Sequence, residues 1–100
     1  MSVARVGETR AKEGQSEALR AFLLSIIPMI QSSAGNISCR LFQDREDPSR
    51  FTMIEIWESV EAHQASVKNI PPEMIGEILP LLAGSPAGRY YDVIGGSDDQ

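Results

Sequence analysis

The stretch Phe51-Thr52-Met53-Ile54-Glu55-Ile56-Trp57-Glu58 decides the fold. Strand periodicity puts Phe51, Met53, Glu55 and Trp57 on one face and Thr52, Ile54 and Ile56 on the other. Both faces are largely apolar, as expected of an interior strand covered on two sides. Upstream, Ile37, Cys39 and Leu41 alternate with Ser38, Arg40 and Phe42, and the polar segment Asp44–Arg50 with Pro48 joins the two strands as a hairpin loop. Further out, Leu19, Phe22, Leu23, Ile26, Ile27 and Ile30 form one stripe at helical spacing, closed by Gly35-Asn36. Pro28 costs that helix about 3 kcal/mol. Burying the six large side chains returns at most roughly 9 to 18 kcal/mol, so a kink is expected and not an end.

The N-terminal segment from Val3 to about Ala11 reads as a first strand, followed by the turn Lys12-Glu13-Gly14. Downstream of Trp57, Ser59 is suited to cap a short helix with Val60, His63, Val67 and Ile70 on one side. Pro71-Pro72 opens a further helical turn bearing Met74, Ile75, Ile78, Leu79 and Leu82, and Arg89–Ile94 reads as the last strand. The order β-α-β-β-α-β is that of an α+β, ferredoxin-like sandwich with helices on one face of an antiparallel sheet. One chain offers no layer for the second apolar face, which a second copy would cover.

A chain of 100 residues supports one core, assigned to residues 1–95, with 96–100 as a flexible acidic tail. The net charge of −5 and the lack of a Lys/Arg cluster argue against nucleic acid as a partner. The single cysteine, Cys39, excludes an internal disulfide and reads as a small buried hydrophobe. The charged N-terminus is unlike a signal peptide, and no apolar run approaches the roughly 20 residues of a membrane span. A cytoplasmic protein is expected. Neither a glycine-rich nucleotide loop nor a second ligand spaced to join His63 in binding a metal is present.

The segment Glu55-Ile56-Trp57-Glu58-Ser59-Val60-Glu61-Ala62 resembles the signature of the antibiotic biosynthesis monooxygenase family, Glu-x-Trp followed by a capped helix with an acidic residue and Ala. Lys12-Glu13-Gly14, Gly35 before a strand and the Tyr-rich last strand extend the likeness over nearly the whole domain. The resemblance implies a dimeric α/β barrel in which two sheets face each other. It also implies oxygen chemistry on small aromatic, quinol- or anthrone-like compounds without a cofactor, the substrate anion serving as its own reductant. Departures are specific. The family helix often carries His nine residues after the Trp, where this chain has Ser66. Some members use Asn four residues before it, where this chain has Met53, or Asn on the first strand, which this chain lacks. Relatives that degrade haem use His at the position of Gly76, so haem degradation is not expected.

On this reading Trp57, Glu55 and His63 are the candidate catalytic residues, with Met53, Tyr91 and Phe22 as substrate-binding neighbours and no cofactor or metal site. Trp57 is either core or a pocket wall whose indole N–H meets a substrate oxygen. Glu55 is either ion-paired, with Arg40 or Arg89, or a general base for a phenolic proton. His63 is either a half-exposed surface histidine or a proton-transfer group. Tyr90 and Tyr91 point to opposite faces, so at most one reaches a pocket. The competing function is a non-catalytic small-molecule-binding or regulatory dimer on the same scaffold. An RNA-binding domain of the same strand order would need exposed aromatic residues on its central strands and a basic surface, and neither is evident.

Overall fold

A computed structural model describes residues 2–96. The strand expected to be interior is β3 (Arg50–Trp57), which lies between β2 (Asn36–Gln43) and β1 (Val3–Arg10). With β4 (Ala87–Asp92) the sheet has the order β2-β3-β1-β4, antiparallel throughout. The helices are α1 (Ser16–Gln31), α2 (Val60–Val67) and α3 (Pro72–Ile78), with a short 3-10 turn at Leu79–Leu81. This is the ferredoxin-like α+β fold.

The core lies between the sheet and α1. Leu19 and Leu23 from the helix meet Cys39, Phe51 and Met53 from the sheet, closed at one end by Ala11 and Leu82. Helix α1 runs through Pro28, as the energy balance requires. Burial pushes the Cys39 thiol up to about 12, with Glu55 adding to the effect, so the group stays protonated as a small hydrophobe.

Three details differ from the sequence reading. Helix α1 ends at Gln31, before Gly35, whose φ of +86° shapes the turn into β2. That glycine serves packing as well, because a Cβ there would collide with Ala62 of α2. A register shift between Asn36 and Ser38 takes Ile37 out of the alternation and leaves it 47% exposed. The last strand is Ala87–Asp92 and not Arg89–Ile94: Asp92 pairs with Val3, the first residue of β1, and beyond it a single backbone bond, from the Val93 N–H to the Ser2 carbonyl at 3.2 Å, continues the pairing. The expected tail, 96–100, falls at residues 97–100 outside the described part.

The register sorts the sheet into two faces. Toward the helices point Phe51, Met53, Glu55 and Trp57. Away from them point Thr52, Ile54 and Ile56, with Ala4 and Val6 opposite Ile56 and Ile54. Phe42 and Tyr91, on flanking strands, join this outer face and are about half exposed. No helix among the described residues is long and apolar enough to cross a membrane.

Candidate active site

One row of cross-strand neighbours builds the site. Glu55 on β3 stands opposite Arg5 on β1, and Arg5 stands opposite Tyr90 on β4. All three occupy the helix-side face. Helix α2 lays His63 over them, because Ser59 caps it immediately after β3 by accepting from the Ala62 N–H at 3.1 Å.

Two hydrogen bonds pair four of the side chains, and Arg5 stacks beside them. The Trp57 indole N–H donates to Glu55 Oε1 at 2.9 Å. His63 Nδ1 and the Tyr90 hydroxyl are hydrogen-bonded at 2.6 Å. The imidazole meets the Trp57 and Tyr90 rings edge-on, with centroids 5.4 Å away in each case. The Arg5 guanidinium stacks on the Tyr90 ring, 4.8 Å from its centroid. Burial raises the Glu55 pKa, and the Trp57 hydrogen bond and the Arg5 charge counter this only in part. Burial, helped by Arg5, lowers the His63 pKa, so the imidazole is neutral near pH 7.

Two hollows meet at these groups. The first, about 250 Å³, lies among the three helices and is walled by Phe22, Ile26, Met29, Ile70, Met74 and Ile78, with Glu55 and His63 at its sheet end. The second, about 260 Å³, lies between α1 and the β1–β4 side and is bordered by Arg5, Met53, Gly7 and Gly88. Ile26, Ile30, Glu55 and His63 line both. A carboxylate and a neutral imidazole at the end of an apolar cavity suit proton transfer to or from an apolar ligand. A wider depression of about 490 Å³ at the β2–β3 turn mixes Glu8 and Asp44 with Arg10 and Arg50 and lies away from these buried groups.

Of the residues read from sequence, Glu55, His63 and Phe22 line the helix-bounded cavity. Trp57 lines neither hollow: it is 1% exposed, and its N–H, expected to meet a substrate, is engaged by Glu55. Met53 packs in the core and reaches only the second hollow. Tyr91 sits on the outer face, away from both, because strand alternation turns Tyr90 inward instead. His63 is buried, not half-exposed. Glu55 takes neither expected arginine as its partner, since Arg40 and Arg89 pair in register with Ile54 and Val6 on the opposite face. Arg5 and Tyr90 are the residues missed. Among the described residues no group of three or more His, Cys, Asp or Glu could hold a metal ion.

The family model described as antibiotic biosynthesis monooxygenase matches residues 2–71. No curated protein matches the chain. Among solved structures, a Chloroflexus aurantiacus protein provisionally named an antibiotic biosynthesis monooxygenase is 30% identical, with 97% of each chain covered and a TM-score of 0.75. A Shewanella oneidensis protein is 29% identical, covering 90% of this chain and 88% of that one, with a TM-score of 0.75. A Deinococcus radiodurans protein with the same provisional name as the Chloroflexus one covers 100% of this chain and 99% of its own, with a TM-score of 0.81. At 17% identity, that last likeness is one of fold.

Proposed function

Since the chain belongs to the antibiotic biosynthesis monooxygenase family, we propose that it is a cofactor-independent monooxygenase of small aromatic, quinol- or anthrone-like compounds, working as a cytoplasmic homodimer. One observation carries the reading. Glu55, with one oxygen held by Trp57 and its pKa raised by burial, stands beside neutral His63 at the end of an apolar cavity.

In this reading the cavity takes the ring system and Glu55 accepts a proton from an activated ring CH₂ or OH. For a CH₂ between two rings, the resulting carbanion bonds O₂ and regains the proton from Glu55 as a hydroperoxide. Loss of water then leaves a ring carbonyl. One oxygen atom enters the product, the other leaves as water, and the substrate supplies the electrons. His63, oriented by Tyr90, holds or relays the proton on the oxygen side. Trp57 acts through Glu55 by fixing its rotamer, which makes it a positioning residue. Excluding water keeps the anion reactive.

The engagement of the Trp57 N–H favours a second reading, a dimer that binds such compounds without oxidising them. Oxygen uptake with an anthrone or hydroquinone, with no flavin or metal added, separates the two. The monooxygenase reading expects uptake that Glu55→Gln abolishes. Ligand binding without uptake leaves the binding reading.

A further inference from the structure

Arg5 is the charged group of the site that the proposed chemistry does not use. Arg5 is half-buried; its guanidinium stacks on Tyr90, and the residue lines the second hollow. Among the described residues no hydrogen bond or ion pair engages it: the carboxylate opposite, Glu55, makes its hydrogen bond to Trp57. A guanidinium carries five N–H donors in a planar fork suited to an oxyanion. Its position is built, since a Cβ on Gly88 would overlap the guanidinium. Glycine at 88 leaves the space that Arg5 fills.

Resting on the reading above, we propose that Arg5 is the oxyanion-binding residue of this site and that the ligand is an aromatic compound with an ionisable ring oxygen. The ring lies in the helix-bounded cavity and the oxygen at the boundary formed by Ile26, Ile30, Glu55 and His63, facing Arg5. Ligand enters neutral, its phenolic O–H proton or, for an enolisable ketone, its α C–H proton passes to Glu55, and the phenolate or enolate oxygen left behind meets Arg5. The site's net charge is unchanged, so ionisation needs no counter-ion from solvent. The matching ligand is a neutral phenol or enolisable ketone.

The test is spectroscopic and independent of turnover. Binding of 2-hydroxyanthraquinone, whose visible absorption separates phenol from phenolate, is followed from pH 5 to 9. Bound to the wild-type protein, the dye should ionise at least one pH unit lower than in free solution, a tenfold shift. Arg5→Met should abolish the shift, Arg5→Lys should retain part of it, and Gly88→Ala should reduce it by displacing the guanidinium. Glu55→Gln should keep the shift, because a competing negative charge is gone, even if oxygen uptake is lost. A shift in Glu55→Gln without oxygen uptake by the wild-type protein would sink the catalytic reading and leave the Arg5 site standing. Failure of the dye to bind, no shift in the wild-type protein, or an equal shift in folded Arg5→Met overturns the proposal.

Discussion

Trp57 and Glu55 lie two residues apart on one face of β3, and the indole N–H of the first donates to the carboxylate of the second at 2.9 Å. The family's Glu-x-Trp pattern is therefore a hydrogen-bonded unit in this chain: a buried ring that holds a carboxylate at the end of an apolar cavity.

Replacing Trp57 by Phe should cost on the order of 1–3 kcal/mol, from lost buried volume and a stranded carboxylate oxygen. Urea unfolding followed by far-UV circular dichroism measures it, since the only tryptophan is gone. A midpoint equal to that of the wild-type protein would mean that neither the packing nor the hydrogen bond matters.

Tyr90→Phe keeps the ring beneath Arg5 and against His63 but removes the hydroxyl that His63 Nδ1 engages. A buried imidazole nitrogen without a partner costs about 1–3 kcal/mol. Trp57 fluorescence through a denaturant titration reads this directly, and a stability unchanged from wild type would show that solvent replaces the hydroxyl freely.

Strand β3, the continuous helix through Pro28 and the Ser59 cap were all legible, because each rests on a local period or a capping residue. The site was legible only where it lies within one local segment: Glu55, Trp57 and His63 span a strand, a cap and one helical turn. Arg5 and Tyr90 lie far away in sequence and join the site through cross-strand register, which alternation alone does not supply. The same missing register made Arg40 and Arg89 reasonable partners for Glu55, though both lie on the other face. Choosing Tyr91 over Tyr90 failed for that reason too: the two differ by one step of the pleat.

Acidity gives a signed prediction. The Glu55 pKa in the folded protein lies above its ordinary 4.5, so the folded state binds the proton more tightly than the unfolded state. Its contribution to stability is fully present below about 4.5 and is lost as pH rises through the folded value. Glu55→Gln removes this titration while keeping an acceptor for Trp57. The stability of the variant relative to wild type should therefore grow as pH rises from 4.5, then level off. Denaturant midpoints across that range check it, and a difference independent of pH, or one growing toward acid, would contradict the burial of the carboxylate.

The outer face of the sheet is expected to meet a second copy. Ile54→Asp or Ile56→Asp should weaken the dimer by several kcal/mol, since the new charge would be buried without a partner. Light scattering at micromolar concentration should give twice 11.0 kDa for the wild-type protein and a shift toward monomer for the variants. A wild-type protein that is already monomeric would refute this.

In the proposed reaction Glu55 removes a substrate proton in a site needing no added redox group. Oxygen consumption with an anthrone, in metal-chelated buffer without flavin, tests it most directly when wild type and Glu55→Gln are compared at matched folding and ligand occupancy. Steady uptake by the wild-type protein is expected, with one ring carbonyl formed per O₂ consumed, and loss of at least a hundredfold in the variant. Uptake by Glu55→Gln equal to that of the wild-type protein, or none by a wild-type protein that binds the anthrone, would contradict it.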